Sequence, residues 1–187
     1  MKSSGRIRVT TGSAGGLYLK VPPGFTSRPT QDRIKQAIFS SFAAKVPGAQ
    51  VLDLYAGTGS LGIEALSRGA ASATFVESNA AVCATLKENL EYCRLKGNIV
   101  CRDVPAYLAE GSGPAFDIIL ADPPYLKGKH EAVPSEMIRL LAGKLNPGGL
   151  LVWEHDSRNS WPAQTTLKLL KTTRYGETAV TYFELEG

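Results

Sequence analysis

Three cysteines and two histidines are all the thiolate and imidazole metal ligands that 187 residues hold. Cys83, Cys93 and Cys101 are odd in number and lack metal-site spacing. No metal is expected, and the three read as core or near-core thiols of a reducing compartment. No stretch approaches the roughly 18 apolar residues of a membrane helix. Met1-Lys2-Ser3-Ser4-Gly5-Arg6 leads into no signal-type apolar run. A cytoplasmic protein without membrane contact is expected. Internal repeats and low-complexity tracts are absent.

What is present is 43% hydrophobic and 20% charged, the balance of one globular domain with a sizeable core and a small appendage. The boundary is expected near residue 29, with a basic hairpin extension over 1–29 and the main domain over 30–187. Residues 1–45 hold eight Lys or Arg and one acid, whereas the remainder holds 13 basic and 16 acidic residues. A basic lobe on a mildly acidic body suits a polyanion such as nucleic acid, or is a solvated basic face.

The chain is organised around Val51-Leu52-Asp53-Leu54-Tyr55-Ala56-Gly57-Thr58-Gly59-Ser60-Leu61-Gly62. It reads as a buried parallel strand, a glycine turn and the start of a helix that Gly69 ends. A ligand belongs at that helix N-terminus, beyond the carboxyl end of the strand. Gly57, Gly59 and Gly62 match the dinucleotide fingerprint, but Asp53 argues against a pyrophosphate, because a carboxylate repels it. S-adenosylmethionine (SAM), with an ammonium, a sulfonium and no phosphate, fits better. Ala73 to Val76 is a second strand that runs into Glu77-Ser78. Glu77 is placed to accept from two ribose hydroxyls or to sit near a helix cap. Ile99 to Cys101 is a third strand leading to Asp103-Val104. Asp103 is placed to accept from an adenine amino group or to cap a helix. Asp53, Tyr55, Ala56, Gly57, Gly59, Glu77, Ser78, Asp103 and Val104 are the candidate cofactor residues.

Earlier in the chain, Arg6 to Thr10 and Leu17 to Val21 read as a hairpin around Gly12, Gly15 and Gly16. Thr30 is a candidate N-cap for a helix striped by Ile34, Ala37, Ile38, Ser41 and Phe42. Arg28 and Arg33 bracket that helix start, where a phosphate could be held; ordinary exposed arginines are the alternative. Arg6, Arg8, Arg28, Thr30 and Arg33 are the candidate RNA contacts. Ala80 to Lys96 reads as a helix ended by Gly97, and Pro134 to Leu145 as another, stopped by Asn146-Pro147-Gly148-Gly149. Leu150 to Trp153, Leu167 to Leu170 and Val180 to Leu185 are the closing strands. His155 is expected to be structural or exposed, and His130 to lie in a loop near the site.

The most specific signal is the fourth strand, Phe116 to Ala121, running into Asp122-Pro123-Pro124-Tyr125. An exocyclic amine of a base is a poor nucleophile, because its lone pair is delocalised into the ring. Acceptors for both of its N–H groups localise that pair. Asp122 supplies one, and a carbonyl beside it, that of Pro123, the other. Prolines fix φ and contribute no competing N–H. Tyr125 offers a face for an unstacked base. Methyl transfer then requires positioning and electrostatics, without a metal or a covalent intermediate.

These motifs resemble those of the SAM-dependent amino-methyltransferases. Arg28-Pro29-Thr30-x-Asp32-Arg33 and Leu61-Gly62-Ile63-Glu64-Ala65-Leu66-Ser67-Arg68-Gly69 resemble more narrowly the bacterial 16S rRNA (guanine-N2)-methyltransferase family of the position-966 type. The resemblance implies an α/β, Rossmann-like methyltransferase fold: a mostly parallel seven-stranded sheet with helices on both faces and a small N-terminal β-hairpin. It implies SAM held by Asp53, Gly57, Gly59, Glu77 and Asp103, and a flipped guanine held by Asp122, Pro123, Pro124 and Tyr125. It also implies action on 16S rRNA within the small ribosomal subunit, and a monomer is expected. The competing readings are a DNA adenine-N6 or cytosine-N4 methyltransferase, an NAD-dependent oxidoreductase and a non-catalytic RNA-binding module. No separate DNA-recognition domain is visible, and an oxidoreductase has no use for Asp122-Pro123-Pro124-Tyr125.

Overall fold

The computed structural model describes residues 7–22, 30–110, 115–124, 133–161 and 166–186, with residues 30 and 31 described in their backbone alone. A hairpin of β1 (Ile7–Arg8) and antiparallel β2 (Tyr18–Leu19) precedes helix α1 (Thr30–Ser41). Then follow β3 (Gln50–Leu54), α2 (Ser60–Ser67), β4 (Ser72–Glu77), α3 (Ala80–Tyr92), β5 (Asn98–Cys101) and α4 (Val104–Ala109). The chain closes with β6 (Phe116–Ala121), α5 (Ser135–Ala142), β7 (Leu145–Asp156), β8 (Leu167–Tyr175) and β9 (Thr178–Leu185).

Seven strands form one sheet in the order β5-β4-β3-β6-β7-β9-β8. The five from β5 to β7 are parallel neighbours, and β9 runs antiparallel to β7 and β8. β3 is unexposed at Val51, Leu52 and Leu54, as a central strand covered on both faces must be. The pleat sends Val51, Ile118, Leu120 and Val152 into an apolar cluster with α1, α2 and α3. It sends Leu52, Leu54, Ile119, Leu151 and Trp153 into a second cluster with α4 and α5. The strand order reverses between β3 and β6: the chain moves outward to β4 and β5, then returns to β6. A crevice therefore opens at the carboxyl ends of β3 and β6, where such sheets bind ligands.

Several elements depart from the sequence expectation. The hairpin strands are two residues each, because Thr10 leaves the ladder to bond elsewhere. α3 ends at Tyr92 rather than Lys96. Arg94 takes the left-handed conformation (φ 56°), and Leu95 N donates to Leu90 O at 2.9 Å, which closes the helix before Gly97. Gly97 serves packing instead: a Cβ there would stand 2.5 Å from the Phe75 ring. The Asn146 to Gly149 segment, expected only to stop a helix, falls inside β7 at a register shift against β6. Cys83 and Cys93 are buried, but Cys101 is exposed, because β5 is the edge of the sheet. Helix α4 carried no clear periodic signal.

One buried carboxylate anchors the hairpin. Glu64 on α2 has no solvent exposure. It accepts from Thr10 N (2.7 Å), Thr10 Oγ1 (2.6 Å), Thr11 N (3.1 Å) and Arg68 Nε (2.7 Å). Ser67, one turn on, accepts from Ala14 N at 2.9 Å and donates to Thr11 O at 2.6 Å. Asn89 on α3 binds the backbone of Lys20 in both directions and donates to Thr58 O at 3.0 Å. Ile7, Val9, Ala14 and Leu19 thereby join the main apolar cluster. Glu64→Ala strands two cations and three donors, and should lower unfolding stability by about 3–5 kcal/mol. A denaturant midpoint within error of wild type would contradict the anchor.

Candidate active site

The crevice is a cavity of about 670 Å³. Three strand ends and the turn after each furnish most of its floor. The first is the β3–α2 turn. Tyr55 takes φ 57°, uncommon for a bulky residue, then Gly57 takes φ 53° and Gly59 φ 83°. Gly59 is the N-cap of α2 and makes no side-chain cap. The missing cap comes from β3: Asp53 Oδ2 accepts from Gly62 N at 2.8 Å, satisfying one of the helix's open donors. That contact requires glycine at position 62, since a Cβ would lie 2.3 Å from the Phe75 ring and 3.0 Å from Asp53 Oδ2. Gly62, read in the sequence as a fingerprint residue, therefore serves close packing under the turn.

The second strand end is β4. Glu77 Oε2 accepts from Gly57 N at 3.0 Å and Oε1 from Asn79 N at 2.9 Å. The carboxylate holds the neighbouring turn and keeps free lone pairs toward the cavity. Asn79 caps α3 through Ala81 N (2.9 Å) and Val82 N (3.3 Å). One strand out, Asp103 is the N-cap of α4 and accepts from Ala106 N at 3.5 Å, so it caps a helix and lines the cavity at once.

The third is β6. Leu54 stands beside Ala121, so the segment Asp122-Pro123-Pro124 leaves the sheet next to the glycine turn. Burial pushes the Asp122 carboxyl up to about 6. Asp53 is pushed further, to about 8, chiefly by burial and then by the charges of Asp122 and Glu77, against the opposing pull of the Gly62 N–H.

Asp53, Tyr55, Ala56, Gly57, Glu77, Ser78, Asp103, Val104, Asp122, Pro123 and Pro124, scattered over 72 positions of sequence, all line this one cavity. Gly59 does not line it and instead packs on α3, with Leu86 Cδ1 only 2.2 Å from where a Cβ would stand. Arg8 and Arg33 are exposed, each adjacent in sequence to an isoleucine of the cavity wall, Ile7 and Ile34. Tyr125, Arg6, Arg28 and His130 lie outside the described residues, as does the side chain of Thr30. His155 is buried and structural: its ring nitrogens meet Thr181 Oγ1 and Asp156 O at 2.7 Å, and burial lowers its pKa.

Sequence reasoning missed three parts of the wall. Lys35 is 3% exposed and donates to Arg8 O (2.6 Å) and Ser60 Oγ (3.1 Å), with Glu64 at 3.7 Å. Its spacing of four from Phe39, on the buried face of α1, was the available signal. Glu154 follows the apolar run of β7 as Asp122 follows that of β6. Ile7, Ile34 and Ile38 form an apolar face that only the packing of the hairpin and α1 creates. Among the described lining residues there are six carboxylates (Asp53, Glu77, Asp103, Asp122, Glu154, Glu177) and one cation, Lys35. Such a cavity repels a pyrophosphate and suits a ligand with cationic groups.

Comparison with known proteins converges on one family. A family model described as conserved hypothetical protein 95 matches residues 7–184. Ribosomal RNA small subunit methyltransferase D of Escherichia coli K12 is 37% identical over 162 residues, which cover 85% of this chain and 79% of that one. The Haemophilus influenzae protein of the same name is 32% identical over 91% of each chain. In three dimensions the Escherichia coli protein yhhF superimposes with a TM-score of 0.83 at 30% identity, over 97% of this chain and 99% of that one. A 16S rRNA N2-guanine methyltransferase of Thermus thermophilus, solved with AdoMet and guanosine, has a TM-score of 0.69 at 25% identity, over 88% of this chain and 45% of that one. A family model matched over residues 7–184, with 37% identity over most of the chain, makes this chain a member of the conserved hypothetical protein 95 family and a relative of ribosomal RNA small subunit methyltransferase D.

Proposed function

We propose that this chain is a SAM-dependent rRNA methyltransferase that acts on the exocyclic N2 of a flipped guanine in 16S rRNA. The observation that carries the reading is Asp122-Pro123-Pro124 at the topological switch point, beside Asp53, in a cavity of six carboxylates and one ammonium. Family membership with the rRNA methyltransferases supports it. The substrate form is an assembling or assembled small subunit, the enzyme acts as a monomer, and the compartment is the cytoplasm.

The residues present fit SAM. Asp53 and the backbone of Tyr55, Ala56 and Gly57 would hold the amino-acid end, and Glu77 with Ser78 would hold the ribose. Asp103 and Val104 take the adenine. When bound, SAM supplies an electrophilic methyl group on a sulfonium sulfur. The chain's own residues do the rest. Asp122 accepts one N–H of the guanine amine and the Pro123 carbonyl accepts the other, which localises the nitrogen lone pair and aims it. The proton lost from N2 passes to Asp122, whose raised pKa of about 6 suits a group that takes a proton and returns it to water. Ile7, Ile34 and Ile38 give the base an apolar wall, and the sequence motif adds Tyr125 as its aromatic face. Arg8 and Arg33, next in sequence to two of those isoleucines, engage the RNA backbone, and the sequence reading adds Arg6, Arg28 and Thr30.

The direct test offers isotope-labelled SAM with unmodified small-subunit particles, free rRNA and duplex DNA. N2-methylguanosine from rRNA is the expected product; label in adenine or cytosine of DNA would replace this substrate with the DNA alternative. Asp122→Ala should leave SAM affinity within a few-fold of wild type and lower turnover by at least ~10²-fold, and an equal loss of both would refute its assignment. Asp53 is partly protonated near neutrality in the free protein, and a cation beside it favours its ionised form. SAM affinity should therefore rise with pH up to about 8 and binding should release protons. Calorimetry in buffers of different ionisation enthalpy measures this; no proton release at pH 7 would remove Asp53 from the cation's surroundings.

A further inference from the structure

The methyl-acceptor end of the cavity holds a second carboxylate that the mechanism above does not use. We propose that Glu154 is the residue that reads the N1–H of the target base, so that the site selects guanine over adenine, cytosine and any other base whose neighbouring ring nitrogen is an acceptor. The inference rests on the methyltransferase reading and specifies its substrate.

The sheet register carries it. On adjacent parallel strands Leu120 stands beside Val152 and Ala121 beside Trp153. One residue further along come Asp122, just past the end of β6, and Glu154, still within β7. The pleat puts Glu154 on the side of Leu120 and Val152, because Val152 belongs to one apolar cluster and Trp153 to the other. Asp122 and Glu154 both line the cavity. Neighbouring strands lie about 4.8 Å apart, so two carboxyl groups on a short and a longer side chain can converge on neighbouring atoms of one ring edge. On its far side Glu154 stands beside Val180 of β9, which is fully buried, so the strand that presents it is covered.

The chemistry of the bases distinguishes them at this point. Guanine carries N1–H directly beside its exocyclic N2 amine, so its edge offers adjacent donors to adjacent acceptors. Adenine beside N6 and cytosine beside N4 present a bare ring nitrogen with a lone pair. A carboxylate facing that lone pair has no hydrogen bond to form and is repelled, which disfavours the wrong base as well as binding the right one. Asp122 and the Pro123 carbonyl alone recognise any exocyclic amine, so the motif cannot make this choice. A second acid on the neighbouring strand, lining the same cavity, can.

2-Aminopurine separates the two roles, because it keeps the exocyclic amine and replaces N1–H with an acceptor. Small-subunit particles are reconstituted with rRNA that bears guanine or 2-aminopurine at the methylated position. Wild-type protein should prefer guanine by at least ~100-fold in kcat/KM. Glu154→Gln, whose amide can donate to a bare N1, should lower turnover of guanine, raise that of 2-aminopurine and narrow the ratio by at least ~10-fold. SAM affinity should stay at the wild-type value. Glu154→Asp, which keeps the charge and withdraws the acceptor, should lower guanine turnover without any gain on 2-aminopurine. Wild-type protein that treats the two bases alike, or a Glu154→Gln protein with an unchanged ratio, overturns the assignment while the methyltransferase reading stands. Methylation of neither base by wild type overturns both.

Discussion

The hydrogen bond from Gly62 N to the Asp53 carboxylate is the contact on which the site depends. A helix that begins at a sheet crevice must leave backbone donors open there, and α2 has no side-chain cap of its own. A carboxylate at the end of β3 satisfies one of them from below. The arrangement places a buried carboxyl group, its pKa pushed up to about 8, directly under the glycine turn. It also explains the local glycines without appeal to a nucleotide fingerprint. Gly57 makes the reversal. Gly59 makes room for Leu86, and Gly62 makes room for Phe75 and for Asp53 itself.

Around this contact the structure accumulates negative charge. Burial raises the pKa of Asp53 and Asp122, the charges of Asp122 and Glu77 add to the shift of Asp53, and the free protein is left with an electrostatic demand for a cation. A SAM-binding site supplies one. The acids are held by backbone groups more than by salt bridges, so they remain available as acceptors: Glu77 orders the Gly57 turn and Asp103 caps α4 while both face the cavity. Lys35, the cation among the described lining residues, is oriented by Arg8 O and Ser60 Oγ and so ties the basic hairpin, α1 and the first residue of α2 together. Through Lys35 and Glu64 the basic hairpin and α1 are mechanically continuous with the glycine turn.

Much of this was legible in the linear chain because parallel α/β folds put their chemistry where strands end. Apolar runs that finish in Asp53, Glu77 and Asp122 announce both the strands and the polar residues at their tips. The resemblance to the amino-methyltransferases followed from two of those tips. Less legible were features that arise from packing between distant segments. Arg94 ends α3 because Leu95 turns back toward the core, a choice invisible to residue propensity, which favoured Gly97. Glu64 appears in sequence as a helix-surface acid and is instead fully buried, because the hairpin folds over it. Lys35 and Glu154 drew no site reading from the linear chain, because what surrounds them comes from distant segments.

The sequence by itself determined the strand ends, the glycine turn, the Asp122-Pro123-Pro124 exit and hence the class of chemistry. Each is a local pattern of a few residues whose meaning is set by backbone geometry and side-chain type. Tertiary structure alone decided which of those ends are neighbours. The sheet order brings β3, β6 and β7 together although 96 positions separate Leu54 from Leu150, and register then places Trp153 beside Ala121, so that Glu154 and Asp122 line one cavity. Chain order carries no information on lateral strand neighbours, and a carboxylate's partners, burial and pKa depend on those neighbours rather than on its place in the chain.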